Sequence, residues 1–245
     1  MGTGLRWAAL AAAVFMLGAC ATHPAAPPKS GDAGPAEERP DPDVQRVVDG
    51  VRMIQQGHIQ AAIDGPFDEV ARRYEAQYGA SKEKIFSARG TADALLYASL
   101  AVSAKPPFSA RVLGPAWAMA YWGRGYAYNE MARYDDAIVE LRKALALAPM
   151  DSQYKIELAY AYQQKRQWDE SLALYKDAEA NADLTTADVP EIKCKALRGQ
   201  GYDLVELHRY EEARAAYRAC LKLVPDEPRS LGELKYIDAV QAKGK

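Results

Sequence analysis

A chain of 245 residues with 49% hydrophobic and 26% charged residues carries enough apolar surface for one ordinary core, or for a short solenoid with a tail. Its formal net charge is -2, and no run of Lys or Arg and no basic stripe is present that would track a phosphate backbone, so nucleic acid is not an expected partner. Ala, Leu, Glu, Lys, Gln and Arg are abundant and long stretches lack Gly and Pro, which favours helix.

The chain opens MGTGLRWAALAAAVFMLGAC. Arg6 gives a positive first segment, Trp7 to Leu17 is apolar, and Gly18 and Ala19 are small. This is the pattern of an export signal, too short and wrongly flanked for a stable transmembrane helix, with an uncleaved membrane anchor as the alternative. The tetrad Leu17-Gly18-Ala19-Cys20 resembles the bacterial lipobox. That resemblance implies a signal peptide over residues 1–19, cleavage before Cys20 and acylation of Cys20, palmitate included. Ala21, where an Asp resembles an inner-membrane retention signal, further implies the periplasmic face of a Gram-negative outer membrane. Acyl chains on one residue anchor a soluble domain without a spanning helix. Residues 20–42 are Pro, Ala, Gly and charge without an apolar period and read as a disordered tether; His23 within it has no second metal ligand nearby.

Residues 43–115 read as helical but irregular. VQRVVDGVRMIQQGHIQAAI has an apolar period with Gly57 near its turn, and Pro66 is expected to open the helix FDEVARRYEAQY. KIFSARGTADALLYASLAVS reads as one strong amphipathic helix, ended by Lys105-Pro106-Pro107, and Arg111 and Val112 lead into Gly114-Pro115. These are expected to be degenerate repeats or capping helices, since an end unit has one face in water.

Residues 116–227 contain an internal repeat. Tyr134-Asp135-Asp136-Ala137 recurs as Trp168-Asp169-Glu170-Ser171 after 34 residues and as Tyr210-Glu211-Glu212-Ala213 after 42 more. The extra residues fall near NADLTTADVP, whose polar residues and Pro190 read as loop. Upstream stand Gly125, Ala159 and Gly201 among apolar and aromatic neighbours, and downstream Ala144 with Pro149 and Cys220 with Pro225. These positions resemble the tetratricopeptide repeat, in copies over 118–151, 152–185 and 194–227. The second copy departs from the pattern with Ser171 for Ala and Asp183 for Pro. The resemblance implies an all-α fold: a helical-hairpin solenoid wound as a right-handed superhelix, with atypical N-terminal helices. A capping helix over 228–241 is expected to cover the last repeat with Leu231, Leu234 and Ile237. Small residues facing each other let paired helices approach closely, and stacking buries faces that a lone hairpin would expose.

Catalytic machinery is not visible. His58 and His208 sit at expected turns, no Ser-His-Asp set, metal-spaced His cluster or phosphate-cradling Gly loop occurs, and Asp135-Asp136 and Glu211-Glu212 suit the positive ends of helices. Neither a cofactor nor a metal is expected. Cys194 and Cys220 read as two buried thiols or as a disulfide within the third repeat, which an oxidising periplasm would permit.

The repeat resemblance places four columns of first-helix residues on the inner face: Met119, Gln153 and Lys195; Trp122, Ile156 and Arg198; Tyr126, Tyr160 and Tyr202; and Asn129, Gln163 and Val205. One column is Tyr in every copy, and Tyr offers large contact area at low entropic cost. Lys195 and Arg198 suggest a positive end for a carboxylate. Helix-on-helix packing is the competing role for the tyrosines. The function expected is a non-catalytic protein-interaction module that takes a peptide or partner protein, of the kind that lipoproteins of envelope assembly, secretion and pilus biogenesis resemble. A structural scaffold acting through dimerisation or its outer surface is the alternative.

Overall fold

The computed structural model describes residues 41–184 and 188–243. The expectations for the signal peptide, for Cys20 and for the tether as far as residue 40 fall outside them. The first helix and its cap begin inside the span assigned to the tether. Asp41 Oδ1 accepts the Asp43 N–H at 2.8 Å and caps α1 (Pro42–Gln55), with Pro42 in the first turn, where a missing N–H is harmless.

Helix α1 turns at Gly57, whose φ of 85° is a left-handed conformation suited to glycine, into α2 (Ile59–Ala62). This runs on through a π-helical turn (Ile63–Phe67) into α3 (Asp68–Tyr78). Pro66 therefore lies inside a helical run rather than at its start. Its ring and missing N–H break the regular i→i−4 ladder, and the wider π turn accommodates both.

The next segment departs from the expected helix. KIFS forms a strand, β1 (Lys84–Ser87), and helix begins only at α4 (Thr91–Ser103). A second strand, β2 (Ala110–Leu113), pairs with β1 in parallel, Lys84 opposite Ala110 and Ser87 opposite Leu113. Parallel neighbours require a crossover, and α4 supplies it. The ring of Phe86 in β1 stacks on Tyr97 of α4 at 5.0 Å. Helix α4 lacks the strong amphipathic face expected of it. Tyr97 and Ala101 are buried, but Leu95 and Val102 are 68% and 76% exposed.

Three helical hairpins follow: α5 (Ala116–Glu130) with α6 (Tyr134–Leu147), α7 (Ser152–Gln164) with α8 (Trp168–Asn181), and α9 (Val189–Glu206) with α10 (Tyr210–Leu223). Their tight turns share one geometry. Ala132, Arg166 and His208 have φ of 56°, 58° and 58°, and the next residue donates its N–H back to Tyr128, Tyr162 and Leu204. Gly57 and His58 close α1 in the same way, His58 donating to Met53 O. The α1–α2 turn is thus a repeat-type turn in a region with little repeat sequence.

Inside the hairpins, Ala137 and Ala213 are fully buried. Ser171, at the equivalent position, is buried too and donates its hydroxyl to Ala159 O at 3.0 Å, which satisfies the group that Ala would lack. A Cβ on Gly125 would stand 2.5 Å from Leu141, and one on Gly201 would stand 2.6 Å from the Tyr217 ring. Helix α9 starts earlier than the repeat boundary, and Pro190, expected in a loop, occupies its first turn behind the cap Asp188. Cys194 of α9 and Cys220 of α10 are joined as a disulfide with Cα atoms 4.2 Å apart.

Helix α11 (Pro228–Lys243) closes the stack. Ile237 is buried and Leu234 packs against the α9–α10 core, but Leu231 is exposed rather than covering it. The first helices touch in order, α5 to α7, α7 to α9 and α9 to α11. The result is a tetratricopeptide-like helical solenoid. Among the described residues, no helix is long and apolar enough to cross a membrane.

Candidate functional site

Residues one turn apart on the same helix project from one side, so Trp122, Tyr126 and Glu130 line up along α5. Tyr160 on α7 and Tyr202 on α9 continue the row on the next two first helices. Between these helices and α11 lies an open cleft of about 680 Å³. Tyr160 and Tyr202 are 37% and 41% exposed and Tyr126 is half-buried, so these rings reach the cleft surface instead of filling helix contacts.

The four expected columns separate. The tyrosine column lines the cleft in full. Of the second column, Ile156 and Arg198 line it, whereas Trp122 lies behind Tyr126, ring on ring at 5.7 Å and 10°. Of the first, only Lys195 lines it. Met119 packs on the N-terminal core, and Gln153 accepts from Arg89 at 3.2 Å.

The last column turns toward the neighbouring helix and does not flank the groove as expected. Asn129, 5% exposed, donates to Glu157 O of α7 at 3.1 Å. Gln163, buried, donates to Asp203 Oδ1 of α9 at 2.8 Å. Val205 is buried against α10. Only Gln163 of these also borders the cleft. About a sixth of a turn of rotation on a close-packed helix, three residues along it, separates a groove position from a stacking position.

The positive end is also corrected. Lys195 Nζ pairs with Glu157 at 3.1 Å and Arg198 with the buried Glu227 at 3.1 Å, so both cations are already neutralised. Three further features of the cleft lie outside the expected columns. Glu130 lies one turn beyond Tyr126, a spacing that could have revealed it. Tyr175 and Tyr217 form a floor from the second helices. A Cβ on Gly199 would stand 2.4 Å from the Tyr175 ring, so a first-helix glycine opposite a second-helix aromatic is the signal. Arg229 and Glu233 come from α11, a helix outside the repeat pattern.

Burial, then the carboxylate of Glu130, pushes the Tyr126 hydroxyl above its ordinary value; burial, then Tyr134 and Glu130, does so for Tyr160; burial, then Glu206 and Glu233, for Tyr202. All three remain neutral donors near neutral pH. Burial raises Tyr175 and Tyr217 further, and the Tyr217 hydroxyl is buried with no hydrogen-bond partner. Burial also pushes Asp203 up to about 6, against the bond from Gln163. His58 and His208 are exposed at their turns. No cluster of metal-ligating side chains occurs among the described residues.

Paired antiparallel helices, small residues at their contacts and a cleft along the first helices define a helical-repeat protein of tetratricopeptide-like fold. The tetratricopeptide repeat family matches residues 118–150. Among solved structures, the first TPR domain of the human RPAP3 protein is 24% identical, over 53% of this chain and 96% of that chain, with a TM-score of 0.47. The N-terminal domain of stress-induced protein-1 from C. elegans is 20% identical over 51% of this chain and 96% of that one, TM-score 0.46. MamA (MSR-1) is 16% identical over 82% of this chain and 87% of that one, TM-score 0.49. No curated protein matches this chain.

Proposed function

We propose that this protein is a non-catalytic interaction module whose cleft holds an extended peptide segment of a partner protein. The observation that carries the reading is the tyrosine column. Three rings at one repeat offset stay partly exposed along a single cleft, where a packing role would bury them. Beside them the buried Tyr217 hydroxyl lacks a partner that a peptide backbone could supply.

The test uses a partner captured by crosslinking in membranes and compares Tyr126→Ala, Tyr160→Ala and Tyr202→Ala with the parent. Each should weaken binding by at least ~2 kcal/mol, about thirtyfold, while melting temperature changes little. A sharp fall in melting temperature with unchanged affinity would return the tyrosines to the core.

The proposal includes an acylated Cys20 that holds the module on the periplasmic face of an outer membrane, among envelope assembly or secretion components. Cys20→Ser should shift the protein from the membrane to the soluble fraction, and a membrane-bound, normally sized Cys20→Ser product would refute the anchor.

One observation favours the scaffold reading. Leu95, Val102 and Phe108 are exposed at 68%, 76% and 42% around α4, away from the cleft. Loss of self-association on Val102→Glu, with partner binding intact, would support that second role.

A further inference from the structure

The charges of the cleft are not evenly spent. Lys195 and Arg198 are held by Glu157 and Glu227. Arg229 lines the far end on α11 and, among the described residues, has no anion within the 4.0 Å of an ion pair. At the α5–α7 end the position is reversed. Glu130 is exposed and, among the described residues, has no cation within the 4.0 Å of an ion pair. The cations nearest in sequence are engaged elsewhere. Arg133 pairs with Asp136 at 2.7 Å and lies over the Tyr128 ring, and Lys165 pairs with Asp135.

The two rings beside Glu130 are braced from behind. Tyr126 is stacked on Trp122, and Tyr160 meets Tyr134 edge-on at 6.4 Å and 77°. Glu130 is close enough to act electrostatically on both hydroxyls. Braced aromatic rings beside a carboxylate that has no ion-pair partner suit a cation, which gains from the ring faces and the negative charge together. A carboxylate there would instead meet Glu130 with no uncommitted cation near it.

Resting on the reading of the cleft as a peptide groove, we propose that its α5–α7 end is a subsite for a basic side chain, an Arg or Lys of the bound segment, with Tyr126 and Tyr160 as walls and Glu130 as counter-charge. Partners are then selected by a positive residue in the segment that crosses α5 and α7, the opposite of the acidic preference that Lys195 and Arg198 suggest when read from sequence.

A random dodecapeptide display library panned on the full chain tests this. Synthetic versions of an enriched peptide, with Arg, Gln or Glu at one position, are then titrated by fluorescence anisotropy. Enriched peptides should carry Arg or Lys, and the Gln version should bind at least tenfold more weakly. Glu130→Lys should reverse the preference to the Glu peptide with an unchanged melting temperature, since Glu130 is exposed. Enrichment of acidic peptides, or an Arg preference that survives Glu130→Lys, would overturn the subsite and leave the groove standing. If no peptide is enriched, or if binding is indifferent to Tyr160→Ala, the groove itself falls and the subsite with it.

Discussion

In the repeats each helix meets mainly the helices beside it in sequence, whereas the N-terminal region is closed by partners far apart in the chain. There β1 pairs with β2 across α4, Phe67 packs so closely on α1 and α5 that a Cβ on Gly50 or Gly123 would stand 2.5 Å from its ring, and Arg89 reaches Asp151 at 2.7 Å. Contacts that recur at a fixed interval write themselves into the sequence as a period. A contact made once leaves only two ordinary residues at unrelated positions.

The sharpest way to break this comparison is to cut the tie between the two regions. Arg89 salt-bridges Asp151, the buried cap of α7, donates to Gln153 and lies over the ring of the fully buried Tyr154 at 5.1 Å. Removing one partner of a buried pair strands the other's charge. Arg89→Ala should cost about 3–5 kcal/mol in urea unfolding. Hydrogen exchange should rise in β1, α4 and the first turn of α7 before it rises in α9 and α10. A loss below about 1 kcal/mol would mean that the regions are joined by apolar packing alone.

A smaller effect sharpens the repeat side. Asp203 ties α9 to Gln163 of α7, and burial places its pKa at about 6, above the ordinary 3.8. A carboxyl raised on folding favours the folded state when protonated. Its contribution is complete below about pH 4 and is lost as pH rises through about 6. Between pH 7.5 and 4.5 the parent should therefore gain about 2 kcal/mol relative to Asp203→Asn, measured as the difference between two urea series. Parallel pH dependence of the two proteins would show that Asp203 titrates as if exposed.

The same contrast explains what the sequence revealed. The hairpin turns were marked by an aromatic and two acids, and the glycine and alanine positions fixed where helices touch, because both features recur. The left-handed turn residues Ala132, Arg166 and His208 share a backbone but no side-chain type, so only the surrounding pattern exposed them. The strand KIFS was hidden by the apolar run that follows it, since four residues cannot distinguish strand from helix before the partner strand is known. Within the cleft the tyrosine column was legible and its electrostatics were not. Lys195 and Arg198 look free until the folded chain brings Glu157 and Glu227 to them. Glu130 was within reach of spacing alone, one turn from Tyr126.

The sulfur link has a consequence for damage. Cys194 and Cys220 lie on either side of the exposed turn at His208, so the stretch between them is a closed covalent ring. A protease nick at that turn opens the ring without dividing the molecule. The fragment that carries α10 and α11, and with it Arg229 and Glu233 of the cleft's far wall, stays attached through sulfur. The chain can lose a peptide bond there and still keep every lining residue of the cleft in one covalent molecule.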